Sequence, residues 1–147
     1  MVARGAPGAA AAPLDQPERE VLRFLDITRP VGDDDRGTHY PGDVLEFDNL
    51  LRDVDRSDAS TRQVMALFPS TCTPTGGTDF RCEGTLVLRD GTIGVTSTPD
   101  LAASPIDMVV TGGTGRYATV TGTARLTPTD VPGSSVLDVS LVRRPAT

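Results

Sequence analysis

The sequence predicts an all-β fold, an eight-stranded antiparallel up-and-down β-barrel. From Glu20 onward, apolar and polar residues alternate with a period of two, which is the pattern of strands that bury one face. Clusters of glycine, proline and aspartate interrupt this pattern about every ten residues. Connections this short between neighbouring strands imply antiparallel pairing. About eight such strands form a sandwich or close into a barrel, and we expect closure because it removes the exposed edges.

Eight segments carry the strand pattern between the turn signals. They are residues 20–29, 44–53, 62–68, 80–88, 92–98, 106–112, 116–126 and 134–144. Pro30 ends the first segment, and Asp90 with Gly91 signals a two-residue hairpin between the fourth and the fifth. The second segment could also be a helix, but Pro41 and Gly42 before it, together with its period of two, favour a strand.

The chain of 147 residues is predicted to hold one barrel domain, residues 20–147, after a disordered tail rich in alanine, glycine and proline, residues 1–19. The tail lacks the apolar core of an export signal, which favours a cytoplasmic location; a secreted protein remains the alternative if such a signal was removed. The formal net charge of −6 argues against nucleic acid as a partner. No apolar run approaches the roughly 20 residues of a membrane span, so no membrane partner is expected.

The run "VVTGGTGRYA", residues 109–118, has the glycine spacing of a dinucleotide-binding turn. Such a turn must open a helix, whose N-terminus holds the phosphate. The residues that follow, "TVTGTARLTPTD", are rich in β-branched side chains, which favour a strand. We therefore expect a tight turn between two antiparallel strands and no dinucleotide cofactor.

Three stretches resemble successive motifs of the allene oxide cyclase and dirigent superfamily. They are "GDVLEFDNLLRD", "CEGTLVLRDGTIGV" and "VVTGGTGRYATVTGTARL", and the resemblance extends over residues 22–143. Its most specific part is the glycine turn followed by Tyr117, which is expected to pack behind that turn. The resemblance implies a calycin-like eight-stranded barrel, usually a trimer, whose mouth or lumen binds a reactive hydrophobic intermediate and steers its cyclisation or coupling. Bacterial relatives of this type are often tailoring cyclases of natural-product pathways.

Asp26 is the first candidate catalytic residue. It shares a strand face with Leu22 and Phe24, and a carboxyl group on an apolar face has a raised pKa that suits proton transfer. The resemblance implies an acidic residue at this place, and it puts Thr28 where the cyclases hold a water with asparagine. Leu25 stands where dirigent proteins have a histidine, which argues against dirigent-type radical chemistry. The first strand alone does not say which face is inside, so a solvent-facing Asp26 stays open.

Asn49, the single asparagine of the chain, is the second candidate catalytic residue. It lies on one strand face with Leu45, Phe47 and Leu51, where a buried amide needs hydrogen-bond partners. It matches an asparagine of an F-x-N motif, which the resemblance implies helps to hold an ordered water in the pocket. An amide satisfied by neighbouring backbone groups is the alternative.

Other side chains are expected to contact the substrate or to stabilise the fold. The predicted substrate contacts are Phe24, Thr28, Phe47, Cys72 and Tyr40. Cys72 and Cys82 flank a predicted hairpin loop, and they form a cross-strand disulfide if they fall in register or stay two small core residues in a reducing compartment. No metal site is expected, because the cysteines lack ligands at the right spacing and His39 reads as a solvated loop residue.

Two functions of different classes fit these residues. The first is a cofactor-free cyclase or isomerase that holds a hydrophobic intermediate of secondary metabolism in one conformation, with proton transfer or polarisation by Asp26 and Asn49. The alternative is a dirigent-like or lipocalin-like barrel that binds a small apolar molecule without catalysing chemistry. Apolar residues on both faces of the first and last strands predict a homo-oligomer, with a trimer favoured by the resemblance and a dimer as the alternative.

Overall fold

The computed structural model describes residues 17–29, 31, 44–54, 65–100 and 103–144. Eight strands close into one antiparallel barrel in which every strand pairs with its neighbours in the chain and β8 pairs with β1. The strands are β1 (Glu18–Ile27), β2 (Leu45–Asp53), β3 (Ala66–Gly76), β4 (Asp79–Leu88), β5 (Gly91–Ser97), β6 (Ile106–Gly113), β7 (Val120–Pro128) and β8 (Ser134–Arg143). The predicted fold is confirmed. The described residues hold no helix with the length and apolar character of a membrane span.

The alternation of side chains divides each strand between the barrel interior and its outer wall. The largest fully buried residues include Leu51, Leu86, Ile93 and Leu137, which pack into one apolar core. This core fills the end of the barrel that carries the β4–β5 and β6–β7 turns. The opposite end, where β1 ends and β2 begins, holds the inward-facing residues that line a cavity.

The glycine-rich run forms a turn between β6 and β7, which pair in antiparallel fashion. Gly115–Tyr117 wind into a single 3-10 turn, and Tyr117 is buried against the core behind it. The turn residues therefore replace the start of the predicted seventh strand: β7 begins at Val120 and not at Arg116. The expectation of a barrel turn in place of a dinucleotide-binding helix is confirmed.

The third strand is longer than predicted and shifted along the chain. It continues through Pro69 and Pro74 to Gly76, so much of the expected hairpin loop is strand and the connection to β4 is the short pair Gly77 and Thr78. The predicted strand ended too early because prolines normally end or interrupt strands. The predicted start of this strand, residues 62–64, lies outside the described residues.

The hairpin between β4 and β5 is present, but its turn lies one residue earlier than predicted. Arg89 and Asp90 form the turn, and Gly91 pairs with Leu88 as the first residue of β5. Gly91 has a φ of 153°, and a Cβ atom placed there would collide with the carbonyl oxygen of Thr114. The glycine is needed for this close approach between the β4–β5 and β6–β7 turns.

Candidate functional site

A cavity of about 360 Å³ occupies the end of the barrel opposite the packed core. Its walls are mainly apolar, with the large contributors Phe47, Phe68, Val95, Ile106, Met108 and Leu126. The segment after β5 supplies Pro99, Ala103 and Ser104 to the lining. The backbone N–H of Phe80 donates to the carbonyl oxygen of Pro99 at 2.9 Å, which ties this segment to the start of β4. A small hydrophobic molecule fits such a chamber.

One group of polar side chains lies where three neighbouring strands, β8, β1 and β2, meet the cavity, and Ser70 on β3 and Ser97 on β5 line it elsewhere. The group consists of Thr28, Asn49 and Ser135, and we call it the polar patch. Ser135 pairs with Asp26 across β8 and β1, and Thr28 follows two positions later along the chain. Because side chains two residues apart in a strand share a face, Asp26 lies on the inner face below Thr28, one step deeper in the barrel.

The Asp26 carboxyl group is enclosed beneath the polar patch. Only 1% of the residue is exposed, and within the described chain neither carboxyl oxygen has a hydrogen-bond partner. Burial raises the pKa of Asp26 to about 7, because a carboxylate loses its hydration there; the nearby Asn49 amide lowers it by a smaller amount. Both the protonated and the ionised form are therefore accessible near neutral pH, which is the condition for accepting and releasing a proton.

The Asn49 side chain connects this carboxyl group to the cavity. Its Oδ1 accepts a hydrogen bond of 3.0 Å from the backbone N–H of Arg29, which fixes the amide orientation. The Nδ2 group consequently faces the Asp26 side, where it favours the ionised carboxylate. An amide nitrogen carries two hydrogens, so one remains for an oxygen atom of a molecule in the cavity. Asn49 therefore lines the cavity and also lies beside the Asp26 carboxyl group.

The two cysteines form a disulfide within the cavity wall. Cys72 and Cys82 are directly opposite each other on β3 and β4, and both line the cavity. The two cysteines fall in register, as a cross-strand disulfide requires, and the disulfide alternative of the two predicted is the one observed. Cys72 therefore takes part in the lining as one half of a cross-link and not as a free thiol.

The predicted site residues divide into three groups. Thr28, Phe47, Asn49 and Cys72 line the cavity, and their contact with a substrate stays a prediction. Asp26 is inside the barrel but below the lining, so the solvent-facing alternative is wrong. Phe24 lies two residues deeper on the same strand face, packs in the apolar core and does not reach the cavity, which corrects its predicted role as a substrate contact. Tyr40 and His39 lie outside the described residues.

Several lining residues were not predicted from the sequence. Ser135 is the most important of them, because it is the cross-strand neighbour of Asp26. Met108 and Ser97 also face the cavity from β6 and β5. The period-two pattern of β8 was a usable signal for its inner face, but only the register between the first and last strands brings Ser135 beside the acid.

The described cavity lining carries little charge. Among the described lining residues Glu83 is the charged one, and none is basic. The Glu83 side chain is 67% exposed and forms an ion pair with Arg81 at 3.3 Å. In the described part of the chain, no three histidine, cysteine, aspartate or glutamate side chains are grouped so that they could hold a metal ion.

No protein-family model and no curated protein sequence matches the chain, but solved structures share its fold. A pyocyanin demethylase is 24% identical with a TM-score of 0.66, over 83% of this chain and 99% of that one. A pterocarpan synthase dirigent protein is 13% identical with a TM-score of 0.65, over 90% and 88% of the two chains. The Diels-Alderase AbmU from Streptomyces koyangensis is 18% identical with a TM-score of 0.60, over 94% and 72%. The resemblance found in the sequence is thus confirmed at the level of the fold.

Proposed function

We propose that this protein is a cyclase that folds a hydrophobic, reactive intermediate of secondary metabolism inside its barrel and steers one ring closure. The observation that supports this most strongly is the buried Asp26 carboxyl group beneath the polar patch of a mainly apolar cavity. Solved structures with this fold that are described as Diels-Alderases agree with ring-forming chemistry. We include no cofactor, because ring closure of an already reactive intermediate needs no electron carrier.

The largest contribution in this proposal is conformational. An apolar chamber of about 360 Å³ restricts a flexible chain to the few conformers that fit. Bringing two reacting carbons of one molecule together in this way contributes on the order of 7–11 kcal/mol in favourable cases. The aromatic rings of Phe47 and Phe68 and the side chain of Met108 supply the surfaces against which the chain folds.

The polar patch supplies the second contribution, at one end of the bound molecule. The free Nδ2 hydrogen of Asn49 donates to a carbonyl or enol oxygen and stabilises the negative charge that develops there. Asp26 lies behind Asn49 and acts on the bound molecule through one intervening water, along which its carboxyl group takes up or returns a proton as that charge grows or disappears. With a pKa of about 7, both forms of Asp26 are present at neutral pH.

The test compares metabolites and then restores the reaction in vitro. Deletion of the gene should accumulate an uncyclised intermediate, and the purified protein should convert it into the product of the parent strain. Asp26→Asn should slow this conversion by about 10²–10⁴, the usual contribution of general acid–base catalysis. Asp107→Asn is the matched control, since this aspartate lies on the outer wall in an ion pair with Arg125 at 2.6 Å. Equal rates for wild type and Asp26→Asn contradict the assigned chemistry.

A second candidate function, a barrel that binds a small apolar molecule without changing it, is favoured by one observation. Asp26 is 1% exposed and is separated from the cavity lining, so a bound molecule does not touch its carboxyl group directly. Mass spectrometry of the protein after incubation with the intermediate separates the two functions. A carrier returns the intermediate unchanged, whereas a cyclase returns the cyclised product.

A further inference from the structure

We propose that the cavity selects uncharged molecules that carry a hydrogen-bonding oxygen, and that it rejects molecules whose carboxylate or ammonium group would lie inside it. This inference rests on the proposed function, because the same cavity would hold the substrate. It adds a substrate class: a neutral alcohol, enol, ketone or lactone with a hydrophobic body.

An anionic ligand finds no counter-charge among the described lining residues. Arg29 and Arg81 adjoin the lining residues Thr28 and Cys82 in the chain, but neither arginine is part of the lining. The guanidinium of Arg29 is bonded to Asp48 at 3.0 Å, and that of Arg81 to Glu83 at 3.3 Å. A carboxylate inside the cavity would therefore lose its hydration without a partner and would also meet the field of Asp26 and Glu83.

A cationic ligand gains little from the two acidic groups. The Glu83 side chain is 67% exposed, so water screens it and Arg81 already compensates it. Asp26 is acidic but enclosed, with 1% of its surface exposed, so an ammonium group in the cavity cannot contact it. An ammonium group would therefore also be desolvated without a direct partner.

A neutral oxygen has defined partners in the polar patch. Thr28 and Ser135 offer hydroxyl groups that donate or accept, and Asn49 offers the Nδ2 hydrogen that does not face Asp26. Across the barrel, Val95, Met108 and Ile106 present a mainly apolar wall, which the hydroxyl group of Ser97 interrupts. Because three polar side chains lie together on the other side, we expect a ligand to place its oxygen toward β1, β2 and β8 and most of its hydrocarbon body toward β5 and β6.

The test uses three rigid probes that share a ring system and differ in charge: 2-naphthol, 2-naphthoate and 2-naphthylmethylammonium. Titration calorimetry at pH 7.5 with the full chain should show binding of 2-naphthol. Both ions should bind at least about tenfold more weakly, because each would be buried without a counter-charge. Binding of either ion as tightly as 2-naphthol overturns the inference, and so does failure of 2-naphthol to bind.

A variant that adds a positive charge to the cavity wall makes the test more specific. Ile106→Arg places a cation on the cavity wall and should raise the affinity for 2-naphthoate at least about tenfold relative to 2-naphthol. Val109→Arg is the matched control on the outer wall of the same strand, where the residue is 57% exposed, and it should leave the selectivity of the wild type. Failure of the proposed function gives a different result: the neutral probe binds selectively, yet the biosynthetic intermediate is recovered unchanged.

Discussion

Asn49 Oδ1 accepts a 3.0 Å hydrogen bond from the backbone N–H of Arg29, a group just beyond the end of β1. This contact joins two strands at the mouth of the barrel and holds the Asn49 amide in one orientation. The same contact decides which end of the amide faces Asp26 and the cavity. One hydrogen bond thus determines both the local backbone structure and the chemistry available to a bound molecule.

Asn49→Ala should destabilise the fold and weaken the polar patch. The substitution removes the acceptor of the partly buried Arg29 N–H and the amide beside the buried Asp26 carboxyl group, which together cost about 1–3 kcal/mol. Asp48→Ala is the neighbouring control: it removes an exposed ion pair with Arg29 and should change stability by less than about 1 kcal/mol. Urea denaturation measures both free energies of unfolding, and equal effects of the two variants contradict the assigned role of Asn49.

The stability of the protein should fall as the pH rises through neutrality, and Asp26 should be a cause. The pKa of Asp26 is about 7 in the folded protein and 3.8 as the reference for the unfolded chain, so the folded state binds more protons between these values. The contribution of Asp26 to stability is greatest below about pH 4. It is lost as the pH rises from about 4 through about 7, by on the order of 4 kcal/mol in total, and then levels off. Asp26→Asn should remove this part of the pH dependence and stabilise the protein at pH 8.5. Parallel unfolding curves for wild type and variant between pH 5 and pH 8.5 contradict the burial of an ionisable carboxyl group.

Reduction of the Cys72–Cys82 disulfide should lower stability and loosen one wall of the cavity. Loss of a native cross-link of this kind costs about 2–4 kcal/mol, and the double variant Cys72→Ala/Cys82→Ala should behave like reduced wild type. Thermal unfolding with and without dithiothreitol gives the size of the effect, and the double variant should not respond to the reductant. Alkylation of both cysteines in the native, unreduced protein contradicts the cross-link. The same alkylation in cells separates a cytoplasmic from a secreted protein.

We propose that the outer wall of the barrel assembles with further copies of the chain, as a trimer. An outer apolar belt crosses five strands through register-matched neighbours: Val136, Leu25, Ile27, Leu50, Leu67 and Val87.

Light scattering at tens of micromolar should return the mass of an oligomer. Leu67→Glu places a charge in the belt, where the residue is 40% exposed, and should dissociate the assembly. Val109→Glu is the control, since Val109 is exposed on β6, outside the belt. A monomer mass for the wild type at that concentration rules out assembly through this face.

Gly91→Ala should destabilise the barrel more than Gly112→Ala. Both glycines have nearly the same positive φ, 153° and 150°, so the backbone strain of an added Cβ is similar. At Gly91 the Cβ would collide with the carbonyl oxygen of Thr114, whereas at Gly112 nothing described lies within 4 Å. The difference between the two variants in urea denaturation therefore measures the close approach of the two turns. Equal losses of stability would show that the two turns can move apart at little cost in free energy.

The sequence by itself determined the class of fold and the position of most strands. Alternation with a period of two is a local property that any stretch of strand must show if one face is buried, and it identified β2, β4, β5, β6 and β8 to within one residue. The same pattern showed that Asn49 shares a face with Phe47, because both lie in one short strand. Where local signals conflicted, at the prolines of β3 and the 3-10 turn before β7, the predicted boundaries were wrong.

Only the tertiary structure decided which face of β1 is inside and how deep each residue lies. Both faces of β1 are apolar, so the pattern could not choose between Asp26 and Leu25; closure of β1 against β2 and β8 places Asp26 between Leu51 and Ser135. Depth along the barrel likewise separates Phe24 in the core from Thr28 in the cavity, although they share one face. Register and depth depend on pairing between residues that are distant in the chain, and a single sequence records the alternation of each strand but not its alignment with the next.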